Sequence, residues 1–152
     1  MAKKTAFVRM SGDLVGNENV IDWIRGKASK FFTVICVGGG KQINEAFEEK
    51  GIAIKFCPQG RIMSNFVEKK ILRGILNKNQ FRMERDLREK GILAKVIIPV
   101  IEIASVDCYI SGDEFARIAV GYDKIYILTL KDRMEEKMKK FHFYQNVTIV
   151  GF

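Results

Sequence analysis

The chain has two prolines, one histidine and one tryptophan in 152 residues. The lone His142 and three scattered cysteines, Cys36, Cys57 and Cys108, show no CxxC spacing, which argues against a zinc site. No apolar run reaches membrane-spanning length. The basic start Met1-Ala-Lys-Lys leads into a strand pattern, without a signal-peptide apolar region and its small-residue cleavage site. These absences predict a cytoplasmic protein without membrane contact. There is no internal repeat, linker or low-complexity segment. Neither GxGxxG nor GxxxxGK[ST] occurs, so the sequence supports no Rossmann or Walker-type claim.

What is present suits one domain over residues 1–152. Composition is 47% hydrophobic and 29% charged, enough for a real core. The net charge is +8, with basic residues concentrated between Lys69 and Lys95 and between Lys131 and Lys140. That surplus favours anionic partners, from small metabolites and nucleotides to nucleic acid. Cys36 sits in an apolar run and reads as a small buried hydrophobe. His142 lies among aromatics and reads as structural.

Strand and helix patterns alternate. Strands are predicted at 5–10, 32–37, 52–56, 94–98, 124–129 and 147–150, each a short run rich in apolar or β-branched residues. Helices are predicted at 17–30, 41–50 and 132–141, with two more between 61 and 90 separated by a break at 77–79. Their inward faces are Val20, Ile24, Ala28 and Phe31; Ile43 and Phe47; Val67, Ile71 and Ile75; Met83 and Leu87; and Met134, Met138 and Phe141. Ser111-Gly112-Asp113-Glu114 matches a helix start, with Ser111 as cap and Glu114 three residues on, followed by Phe115, Ile118 and Ala119. Alternation of this kind predicts a mainly parallel sheet covered on both faces, a three-layer α/β/α sandwich.

In such sheets ligands bind outside the carboxyl ends of the strands. Ser11-Gly12, Gly38-Gly39-Gly40 and Ser111-Gly112-Asp113 all fall there. Glycine lets the main chain approach a ligand, and a following helix N-terminus favours an anion. A tight turn explains the triglycine equally well. Arg9 lies inside an apolar strand, and a buried charge needs a partner, either Asp113 or a bound anion.

"FVRMSGDLV" followed by "VICVGGGKQINEAFEEKG" resembles the amino acid kinase family, which includes acetylglutamate, aspartate and uridylate kinases. The later segments "GRIMSNFVEKK", "IIPVIEIAS" and "YISGDEFARIAVGYDKIYILT" resemble it more loosely, so the likeness runs from Thr5 to about Thr129. The resemblance implies the fold of that family and phosphoryl transfer from ATP with Mg2+, which is chiefly positioning and charge stabilisation. It casts Arg9, in place of a lysine, and Asp113 as catalytic. Ser11, Gly12, Gly38, Gly39 and Gly40 would bind the phosphate or other anion, and Gly60, Arg61 and Ser111 the substrate. It also implies a homodimer.

Two departures matter. Leu130 stands where the family has an aspartate, and one helix and one strand replace the nucleotide-binding lobe with its second lysine. The expectation is therefore a shortened or degenerate member that binds a small anionic metabolite or phosphate without full kinase activity. An active small-molecule kinase is the alternative, and a basic nucleic-acid-binding protein the third reading.

Overall fold

A computed structural model describes residues 2–152. Strand β1 (Thr5–Met10) leads through a 3-10 turn at Gly12–Leu14 to helix α1 (Glu18–Ala28). Asn17 caps α1, its Oδ1 accepting from the amide of Asn19 at 2.9 Å, as N-cap Asn does for orphan N–H groups. Strand β2 (Phe32–Val37), helix α2 (Gly40–Glu49) and a small hairpin of β3 (Phe56–Cys57) with β4 (Gly60–Arg61) follow. The long helix α3 (Phe66–Glu89) precedes β5 (Lys95–Ile97) and a second hairpin, β6 (Val100–Ile103) with β7 (Val106–Tyr109). The chain continues as α4 (Gly112–Ile118), β8 (Lys124–Thr129), α5 (Met134–Phe141) and β9 (Val147–Gly151).

Five strands form one parallel sheet in the order β5-β2-β1-β8-β9. Side chains alternate across β1, as the period of two requires. Ala6, Val8 and Met10 join the buried cluster built with α1, α2 and α3. Phe7 joins the opposite cluster, with Ala116 of α4 and Phe141 of α5. The α/β class is therefore as expected, with helices on both faces. No helix among the described residues is long and apolar enough to cross a membrane.

Several local expectations are corrected. The predicted strand at 52–56 forms no ladder before Phe56, and β6 and β7 were not anticipated. Their two-residue turn, Ala104-Ser105, has φ of 47° and 66°. Such hairpin turns normally carry Asn-Gly, and Ala-Ser lacks that turn signal. Helix α3 runs unbroken through 77–79. Its buried face is Glu68, Leu72, Leu76, Asn79, Met83 and Leu87. Val67 instead is exposed, as are Ile118 and Met138. Two polar residues within the true stripe shifted the apparent apolar face of α3 by one position. Glu68 belongs to the helix start: its amide donates to Asn65 Oδ1 at 3.0 Å and its carboxylate accepts from the Ser64 amide at 2.6 Å, much as in a capping box.

Gly74 lies exposed inside α3, and a Cβ built there meets nothing within 4 Å. Gly74→Ala should therefore stabilise the protein by about 1 kcal/mol, the helix-propensity difference. Urea denaturation measures it; an unchanged or lower midpoint would contradict a helix continuous through this position.

Candidate functional site

The carboxyl ends of β1 and β2 and the N-termini of α2 and α4 converge on a cavity of about 130 Å3. Arg9, Gly38–Gly40, Arg61, Ser111 and Gly112 line it, with Phe56 and Tyr109 from the two hairpins. Gly60 packs behind it at φ 144°, where a Cβ would come within 2.7 Å of the Ser111 amide nitrogen. Two of the three sequence-predicted clusters, and both predicted arginines, thus line one hollow. Ser11 and Gly12 lie behind the triglycine and outside the lining.

Arg9 occupies the face of β1 that packs on α4 and α5. It pairs with Asp113, Nε to Oδ1 at 3.2 Å, without the alignment of a hydrogen bond. Gly112 makes room for the guanidinium, since a Cβ there would come within 2.7 Å of Nε. The pair engages Nε, so the terminal nitrogens of the fork are not used by Asp113; Nη2 lies beside Gly38. The other carboxylate oxygen of Asp113 accepts from Lys137 at 2.7 Å and Lys140 at 2.8 Å, both on α5. Asp113 is almost fully buried. Burial is the largest influence on its carboxyl and acts to raise its pKa. Arg9 and Lys137 by charge, with the Lys137 and Lys140 hydrogen bonds, together outweigh burial and hold it well below the usual carboxylate range. Burial pushes the neighbouring Cys36 thiol up to about 12 against the opposing charge of Arg9, so Cys36 is a packing residue.

Arg61 reaches the cavity from β4. Its Nη2 donates to Asn44 Oδ1 at 2.6 Å, and its guanidinium lies 4.8 Å from the ring centre of Phe56 and 5.3 Å from that of Phe47. Nη1 is buried with no partner. Burial lowers the pKa of this guanidinium, which stays cationic at neutral pH.

Sequence reasoning missed the support of the glycine loop. Asn79 Nδ2 donates to the Gly38 carbonyl at 2.9 Å and to Gln42 Oε1 at 2.7 Å. Gln42 in turn donates to Asn79 Oδ1 at 3.3 Å. Asn79 falls in the expected helix break at 77–79 but is buried on an unbroken helix face, where a side-chain amide needs such partners. Lys137 and Lys140 were also missed, because a basic amphipathic helix reads as a solvated surface. The hydroxyls in the predicted set serve local structure. Ser111 accepts from the Glu114 amide at 3.1 Å, and Ser11 donates to Asp13 at 3.3 Å.

The glycines divide by role. A Cβ on Gly12 would come within 2.6 Å of the Gly38 carbonyl oxygen and 2.8 Å of Gly39 Cα. On Gly39 it would press on Asn79 and Ile75 at 3.2 Å. These two permit close loop packing. Gly40 is open, begins α2 and has no side-chain cap ahead of it.

No family model matches the chain, and no curated protein does. Solved structures do. N-acetylglutamate synthase from Neisseria gonorrhoeae, complexed with coenzyme A and L-arginine, has a TM-score of 0.67 at 12% identity, over 87% of this chain and 45% of that one. The same synthase complexed with coenzyme A and N-acetyl-glutamate has a TM-score of 0.57 at 11% identity, over 87% and 43%. The protein smu.665 from Streptococcus mutans UA159 has a TM-score of 0.60 at 15% identity, over 84% and 73%. The chain spans less than half the length of the synthase. At these identities the likeness is one of fold.

These findings correct the kinase expectation in all its forms. The named neighbour is a synthase crystallised with coenzyme A, so membership of the amino acid kinase family, shortened or active, and a nucleotide-binding role are set aside. ATP with Mg2+ is set aside with them; the described residues contain no group of three His, Cys, Asp or Glu side chains able to hold a metal ion. In the two loops that carried the resemblance, a Cβ on Gly12 or Gly39 would crowd neighbouring atoms, so close packing is a sufficient reason for glycine at both positions. The chain is a parallel α/β protein that shares a fold with part of N-acetylglutamate synthase.

Asp113 ties Arg9 to α5, and removing it leaves three cations without their shared acid. Asp113→Asn should cost about 3–5 kcal/mol at neutral pH, as for one partner removed from a buried ion pair. Its folded pKa is depressed, so the stability it contributes is complete above the ordinary aspartate value of about 4 and is lost as pH falls toward the folded value. The gap between wild type and Asp113→Asn in urea denaturation should therefore shrink below about pH 4; a constant gap would contradict this charge arrangement.

Proposed function

We propose that the cavity binds a small carboxylate-bearing metabolite of the acylated amino acid class. The observation that carries this reading is the buried, unpartnered Nη1 of Arg61 in a cavity also lined by Arg9 and by the uncapped start of α2. A buried donor left unpaired is costly, and a ligand carboxylate would supply the acceptor. Arg9 would contribute a second fork, held in place by Asp113 through Nε. The α2 amides at Gly40 would add partial positive charge. Phe56 and Ile43 offer apolar surface for a short acyl group.

The bound N-acetyl-glutamate of the neighbouring synthase is of this ligand class. Coenzyme A, bound in the same neighbour, favours a second reading in which the cavity takes the acyl end of acetyl-coenzyme A. A cavity of about 130 Å3 is small for the whole coenzyme, since sites for drug-sized ligands run to about 300–1,000 Å3. The carboxylate reading is therefore preferred.

Isothermal titration with N-acetyl-L-glutamate, and separately with acetyl-coenzyme A, tests both. The expected result is binding of N-acetyl-L-glutamate that Arg61→Ala weakens by about 10- to 100-fold, the worth of a charge-assisted hydrogen bond. Arg61→Lys should recover only part of it, because an ammonium lacks the fork. Absence of binding to the wild-type protein, or equal affinity in Arg61→Ala, would overturn the carboxylate reading. Binding of acetyl-coenzyme A alone would replace it with the second.

A further inference from the structure

A second cavity of about 1000 Å3 lies at the opposite end of α3, where its last turns pass the free edge of β5. We infer that it is a binding site for a single-chain amphiphile with an anionic head, of the medium- or long-chain acyl carboxylate kind. It shares no lining residue with the Arg9–Arg61 cavity, so the inference stands independently of the function proposed above.

The floor is apolar. Leu87 from α3 and Val96 from β5 form its buried base. Phe32 and Leu93 rise at its margins, 56% and 88% exposed. A turn that leaves a leucine almost wholly in water beside an exposed phenylalanine presents apolar surface to something, since contiguous exposed patches mark binding sites. The lining carries more positive than negative charge: Lys3, whose ammonium also donates to the Ala28 carbonyl at 2.8 Å, Arg88 and Lys95, with Glu84 the one acid among the lining residues. Apolar floor, cationic margin and a volume at the upper end of the small-molecule range together fit an amphiphile with a negative head.

The same observations disfavour other occupants. An added strand would need the free edge of β5, but that strand has three residues and its Val96 carbonyl already accepts from Gln80 at 2.9 Å. A second copy packed face to face would bring Lys3, Arg88 and Lys95 against their own counterparts, a like-charge contact.

Calorimetric titration of the whole chain with octanoate, decanoate and decyltrimethylammonium is the test. Decanoate should bind about fifteenfold more tightly than octanoate, given roughly fourfold for each of two buried methylenes. Decyltrimethylammonium should bind far more weakly. Leu93→Asp alters an exposed side chain and should weaken decanoate at least tenfold. The double variant Lys3→Glu, Lys95→Glu should reverse the preference toward the cationic amphiphile, and Arg61→Ala should leave decanoate affinity unchanged. Thermal melts confirm that each variant is folded. No decanoate binding to the wild type, no head-group preference, or loss of binding in Arg61→Ala would overturn the inference. A concentration-dependent dimer dispersed by Leu93→Asp would overturn it too, assigning the groove to a second copy.

Discussion

One carboxylate organises the end of the sheet where the cavity opens. Asp113, its side chain 5% exposed, meets Arg9 through one oxygen and Lys137 and Lys140 through the other. It joins three elements that the sheet alone would not fix together: β1, the start of α4 and the face of α5. Burying an acid is unfavourable by itself, and here three cations reverse the balance. The cluster carries three positive charges against one negative. Its surplus lies beside the cavity, and Arg9 is the member that lines it. Removing the acid would release the guanidinium and leave Lys137, itself almost fully buried, without its hydrogen-bonded acid and with Glu136 only at 3.9 Å.

A neutral network does for α2 what this charged one does for α4. Asn79 and Gln42 exchange hydrogen bonds, and Asn79 also holds the Gly38 carbonyl. The loop between β2 and α2 is thereby pinned to the middle of α3. Gly12 lets the first loop lie against it. Pinning leaves the start of α2 at Gly40 open toward the cavity, while Arg61, steadied by Asn44 and two aromatic rings, closes the other side. The hollow is thus bounded by backbone held in place and by two guanidinium groups. Such preorganisation reduces the ordering that a ligand must otherwise impose.

The sheet was legible because its strands are short continuous apolar runs, and β1, β2 and β8 fall where those runs lie. Helices α1 and α2 were legible from the spacing of their apolar residues, Val20, Ile24 and Ala28 in one and Ile43 and Phe47 in the other. The buried face of α3 was not, because Glu68 and Asn79 interrupt its apolar pattern, and the partners of Asn79 lie 37 and 41 residues away along the chain. The hairpin of β6 and β7 was not, because an Ala-Ser turn carries no glycine signal. At the site, Arg9 stood out as a charge within an apolar strand that needed either Asp113 or a bound anion beside it, and the fold supplies Asp113. Lys137 and Lys140 could not be singled out among the lysines of a basic helix. The triglycine misled in a specific way: a local motif suggested phosphate chemistry where part of its glycine content serves close packing.

The arrangement of the site depends most on Asp113 being ionised while buried. The direct measurement is its carboxyl 13C chemical shift, followed by NMR from about pH 7 to about pH 3 and assigned by comparison with Asp113→Asn. An ionised, ion-paired Asp113 keeps its shift at the carboxylate value while exposed carboxyl groups titrate near about pH 4. A titration of Asp113 itself near pH 4, or a protonated signal at neutral pH, would contradict it.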